Sequence, residues 1–71
     1  MSETFVDARG LKCPWPALRL AKEMRSAARV RIAADDPQVS SEFRMLATEQ
    51  GWSIQELDGE YVVERPLVAN S

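Results

Sequence analysis

The chain has 71 residues, enough for one domain near the lower size limit for folding on a hydrophobic core alone. Its 45% apolar content, three glycines and four prolines argue against disorder, and no apolar stretch approaches the ~20 residues that span a bilayer. The net charge is −2, and one cysteine with no histidine excludes an internal disulfide, a Cys-His nucleophile pair and a tetrahedral zinc or iron–sulfur site within one chain, so neither metal nor cofactor is expected.

The N-terminal residues Met1-Ser2-Glu3-Thr4 show no basic region followed by an apolar run. No signal peptide is therefore visible, and the expected location is cytoplasmic. Thr4 to Ala8 reads as a short strand centred on Phe5 and Val6. Arg9-Gly10-Leu11-Lys12 follows as a loop in which Gly10 can take a positive φ. The pattern then predicts a helix from about Pro14 to Ala27. Ala17, Leu18, Ala21, Met24 and Ala28 form its buried stripe, and Arg19, Lys22 and Arg25 share the other side. Arg29 to Ala34 is a second strand with Val30 and Ile32 on one face.

Asp35-Asp36-Pro37 breaks that strand. A second helix is predicted from Val39 to Gln50, with Val39, Phe43, Leu46 and Ala47 inward and Gly51 just past its end. Trp52 to Leu57 alternates without favouring either face. Asp58-Gly59 is a strong hairpin signal, Tyr61 to Arg65 is the last strand, and Pro66 ends it. The tail Leu67 to Ser71 reads as loose. The order is β-α-β-α-β-β. Right-handed crossovers place both helices on one face of a mixed four-stranded sheet, giving a single-domain α/β (α+β) two-layer sandwich. Its outer sheet face is left either solvated or paired.

The charge is unevenly divided. Residues 1–34 carry seven basic and three acidic side chains, and residues 35–71 carry two and eight. The basic half holds Cys13. Such polarity steers an acidic partner toward the cysteine, although solvated surface charge explains the same pattern.

Cys13-Pro14-Trp15-Pro16 is the most informative segment. Pro suits the first helical turn, so Cys13 is expected at the N-cap of a helix that opens with Pro14. The helix dipole and the free amides of Trp15 and Ala17 then favour a thiolate. Helix N-termini and nearby cations lower a cysteine pKa from ~8.5, and Arg9 and Lys12 are placed to supply the cations. Pro14 and Pro16 stiffen the turn, and Trp15 is expected beside it as an exposed docking contact. The contrasting reading is a buried structural cysteine at a helix start. Cys-x-x-Cys, a phosphate-binding loop and a dinucleotide fingerprint are all absent.

The run Val6-Asp7-Ala8-Arg9-Gly10-Leu11-Lys12-Cys13-Pro14-Trp15-Pro16 resembles the N-terminal signature of the TusA (SirA-like) sulfur-carrier family. That signature reads Asp, small residue, any, Gly, Leu, any, Cys-Pro-x-Pro, opening a helix. Asp35-Asp36-Pro37, and the helix that ends in Gly51 with an aromatic next, are also similar. The resemblance covers about residues 4–65. It implies the same βαβαββ fold. It also implies that Cys13 accepts a sulfane sulfur as a persulfide and relays it to an acceptor protein. Donors in the family are cysteine desulfurases or rhodanese-like sulfurtransferases. Acceptors lead to thiolated tRNA or belong to sulfur oxidation. The chain departs at Trp15, where the tRNA-thiolation members usually carry Glu.

On this reading Arg9 and Lys12 stabilise the anionic sulfur, while Trp15, Arg19, Lys22 and Arg25 dock an acidic partner. The alternative is a non-catalytic regulatory module in which Cys13 is a structural cap or redox sensor. Direct nucleic-acid binding is not expected, because three basic residues on one helix are few and the acidic second half repels phosphate, and membrane insertion is not expected, because no apolar stretch is long enough.

Overall fold

The computed structural model describes residues 3–66; the expectation of a loose tail falls on residues 67–71 and lies outside them. The elements run β1 (Thr4–Asp7), α1 (Trp15–Met24), β2 (Arg29–Ala33), α2 (Val39–Gln50), β3 (Ser53–Leu57) and β4 (Glu60–Glu64). The sheet order is β1-β2-β4-β3. β1 and β2 are parallel, and β4 lies antiparallel to both β2 and β3. This is the expected mixed four-stranded sheet.

Register decides which face each strand residue takes. Val6 sits beside Ile32 and Ile32 beside Tyr61, while Val30 sits beside Val63 and Val63 beside Ile54. These residues form one apolar face. Leu20 and Met24 of α1 and Val39 and Phe43 of α2 complete the core cluster against it. Both helices therefore cover the same side. The Phe43 and Tyr61 rings meet edge to face with centroids 5.0 Å apart, a favoured aromatic geometry. The ambiguity in β3 is resolved by Ile54 lying beside the buried Val63. Ile54 and Trp52 pack on the core, and Glu56 shares their face. Glu56 Oε1 accepts hydrogen bonds from the Arg44 guanidinium of α2 at 2.8 Å and from the Ser40 hydroxyl at 3.2 Å.

The opposite face carries the row Phe5, Arg31, Val62 and Gln55. Arg31 pairs with Glu3 at 2.7 Å and Glu60 at 3.4 Å, and Arg29 pairs with Glu3 and with Glu64, each at 3.3 Å. Exposed pairs of this kind add little stability singly, but here they form one charged mesh over the sheet.

α2 occupies the predicted span, and its stripe holds: Val39, Phe43 and Ala47 are buried and Leu46 is half-buried. α1 differs in three respects. It starts at Trp15 with Pro14 as its N-cap, so Cys13 lies one residue outside the helix. It also stops at Met24, whose carbonyl accepts a hydrogen bond from the Arg65 guanidinium, and Ala28 falls beyond the helix. Its buried residues are Pro16, Leu20 and Met24, spaced by four, whereas Leu18 is 52% exposed. The inward line was hidden because Pro16, an apparent capping residue, is its first member.

Gly51 ends α2 in the left-handed region at φ 77°. A Cβ there would meet nothing within 4 Å, so only the backbone conformation demands glycine. Gly51→Ala should therefore cost about 1 kcal/mol, read as a lower urea midpoint with an unchanged slope.

Candidate functional site

The site lies where the loops leaving two parallel strands meet, past the C-terminal ends of β1 and β2. The Ala8 N–H donates to the Ala33 carbonyl at 2.7 Å and continues the ladder by one step. Gly10, at φ 87°, turns the first loop, and its N–H donates to Asp35 Oδ1 at 3.0 Å. The Cys13 N–H donates to Asp36 Oδ2 at 2.8 Å. The other Asp36 oxygen accepts the Gln38 N–H at 2.8 Å, and the Asp36 carbonyl accepts the Val39 N–H at 3.0 Å. Asp36 thus makes an Asx turn that starts α2 and holds the cysteine loop with the same carboxylate. The two backbone hydrogen bonds keep its pKa below the ordinary carboxylate value.

Cys13 is exposed, which removes the reading of a buried structural cysteine. The Cys13–Pro14 peptide bond is cis. Its thiol donates a hydrogen bond to Glu42 Oε2, from the first turn of α2. Glu42 is half-buried, and its second oxygen, Oε1, is buried with no hydrogen-bond partner among the described residues. The thiol pKa is pushed up from 9.0 to about 11, first by the hydrogen bond to Glu42, then by desolvation and by the negative charges of Glu42 and Asp36.

This reverses the expected electrostatics. With Cys13 outside the helix, the Trp15 N–H bonds the Lys12 carbonyl at 2.8 Å rather than facing the sulfur. The Arg9 guanidinium is taken up by Asp7, whose two oxygens it contacts at 2.9 and 3.0 Å, and that pairing holds Asp7 at a pKa of about 2. Lys12 acts on Asp36. The sulfur faces two acids.

Around α1, Leu11, Trp15, Leu18, Arg19 and Lys22 line a shallow groove of about 330 Å³. Trp15 is 59% exposed, as expected. Arg19 leans on Glu23 at 3.6 Å. Arg25 is separated from this group. It lines a different cleft with Met24, Leu46, Trp52 and Arg65, because each step of three residues turns a helix about 60° short of a full circle.

Residues 4–64 match the family model described as Sulfurtransferase TusA. The chain belongs to the TusA sulfurtransferase family. No curated protein matches it. TusA membership implies a sulfur-carrier role in a sulfur relay between donor and acceptor proteins. Among the described residues, no helix is long and apolar enough to cross a membrane.

Asp36 carried a local signal, since Asp before Pro at a helix start is a capping pattern, but nothing in it pointed to Cys13, 23 residues away. Glu42 carried none, because its contact with Cys13 spans 29 residues.

Two outcomes follow from these bonds. Alkylation of Cys13 by iodoacetamide, followed across pH, should titrate with a midpoint near 11; a midpoint at or below 9 would show that the acids do not govern the thiol. The stability that Asp36 supplies is present above its unfolded pKa and is lost as pH falls through its lowered folded value. Asp36→Ala should therefore lower the urea midpoint at pH 7, and the difference from the unaltered protein should shrink as the pH falls below 3.8 and on through the lowered folded value.

Proposed function

We propose that Cys13 accepts one sulfane sulfur as a persulfide and passes it on. The Cys13 sulfur attacks the outer sulfur of a donor persulfide. A new S–S bond forms, the donor S–S bond breaks, and the donor cysteine leaves as a thiolate. An acceptor thiolate then repeats the exchange on Cys13. No net oxidation occurs, and one thiol suffices. The observation that carries this reading is the exposed single cysteine, fixed through its own N–H by Asp36 in a chain of the TusA family.

The donor class is a cysteine desulfurase or a rhodanese-like protein. The acceptor serves tRNA thiolation or sulfur oxidation, and the setting is the cytoplasm. The groove of Trp15, Leu11 and Leu18, flanked by Arg19 and Lys22, suits a partner that presents an apolar side chain bordered by acidic ones. Arg25 adds to the field from the neighbouring side of α1. Pro14, the N-cap, and Pro16, buried in the core, fix the turn that presents the sulfur.

Incubation with a cysteine desulfurase and cysteine should add a single reductant-removable sulfur to the intact mass. Cys13→Ala should add none, and equal loading of that variant would end the proposal. Lys22→Glu should load about 10-fold more slowly at low salt, with the gap narrowing as ionic strength rises.

A further inference from the structure

The thiol at the centre of the transfer is hydrogen-bonded to a carboxylate and surrounded by negative charge, so it is protonated at neutral pH. We propose that Glu42 is the proton acceptor and donor of Cys13 in sulfur transfer, a catalytic role that rests on the carrier reading.

Two observations carry it. The Cys13 thiol donates directly to Glu42 Oε2, which is the contact a general base needs. Glu42 Oε1 is buried and has no hydrogen-bond partner among the described residues. The carboxylate therefore meets the thiol through Oε2 and turns Oε1 inward, where burial shields it from bulk water. The remaining charged groups at the pair are Asp36 on the loop before α2 and Lys12, which acts on Asp36. Asp36 already accepts hydrogen bonds from two backbone N–H groups, which leaves Glu42 as the acceptor in contact with the thiol.

The proton balance closes. As Cys13 bonds the incoming sulfur, its proton passes to Glu42, and the donor leaves with the electron pair of the broken S–S bond. When an acceptor takes the sulfur away, the Cys13 sulfur is released with that electron pair and recovers the proton from Glu42. A docked partner excludes water, so a proton acceptor built into the site replaces bulk base. The same carboxylate suppresses the free thiolate between transfers, which protects the thiol from small electrophiles.

The test compares the unaltered protein with Glu42→Gln and Glu42→Asp, using single-turnover loading from a cysteine desulfurase and, separately, alkylation by iodoacetamide. Glu42→Gln removes the anion and the base together. Its alkylation at pH 8 should be about 10-fold faster or more, because the thiolate fraction rises. Its loading at pH 7 should be about 10-fold slower or more. Loading of the unaltered protein should be nearly flat from about pH 6.5 to 9, while that of Glu42→Gln climbs about tenfold per unit. Glu42→Asp keeps a carboxylate on a shorter arm and should retain the flat profile at a lower rate.

A purely structural or electrostatic Glu42 moves alkylation and loading in the same direction. Glu42→Gln loading as fast as the unaltered protein, with the same pH slope, would overturn the role of Glu42 and leave the carrier reading standing. Failure of the unaltered protein to load would overturn the carrier reading and this role with it.

Discussion

One carboxylate organises the functional end of this molecule. Asp36 accepts the Cys13 N–H on one oxygen and the Gln38 N–H on the other. The first bond places the cysteine and the second starts α2, so the position of the sulfur and the direction of a core helix are fixed together. Asp35 adds a parallel tie to Gly10. Both acids lie just beyond the end of β2, and both bonded amides lie in the loop after β1. The parallel pairing of these two strands brings the loops side by side. Ligand sites of open α/β sheets gather at the carboxyl ends of parallel strands for the same reason: there the loops converge and the backbone N–H groups are free of the ladder.

That arrangement has an electrostatic consequence. The acids that order the loop also face the thiol. Asp36 adds negative charge, and Glu42 reaches the sulfur from α2. The result is a protected thiol rather than a resting thiolate. For a carrier that meets many small electrophiles but reacts productively only with partner proteins, low intrinsic reactivity is a benefit. In the proposed carrier, reactivity belongs to the docked complex, with the groove beside Trp15 and the cations of α1 as the proposed contacts.

The core supports this end without taking part in it. Leu20, Met24, Phe43, Val30, Ile32 and Val63 are essentially inaccessible, and they hold the two helices on one sheet face. The opposite face is covered by a mesh of Arg29, Arg31, Glu3, Glu60 and Glu64. Pro16 links the two regions, since it belongs to the rigid turn after Cys13 and is also the first buried residue of α1.

The element order, all four strands, the full span of α2, the glycine turns at residues 10, 51 and 59, and the singular cysteine were legible in the chain. Each rests on local chemistry: period-two or period-3.6 patterning, a Gly where φ is positive, a Pro where a helix begins. The end of α1 was not legible, because Arg65, 41 residues further on, caps the Met24 carbonyl. Nor was its buried line, because Pro16 serves as turn and core residue at once. The character of the thiol was least legible of all. Near neighbours in sequence, Arg9 and Lys12, suggested a cationic setting, yet Arg9 turns to Asp7, and the groups that meet the sulfur come from the far side of β2. By itself the sequence singled out one sulfur atom, at the head of a helix in a βαβαββ domain, as the candidate reactive feature. Only the tertiary structure decided that this sulfur is a protonated thiol paired with Glu42, because the charges that control a pKa are those nearest in space, and here they are 23 and 29 residues away.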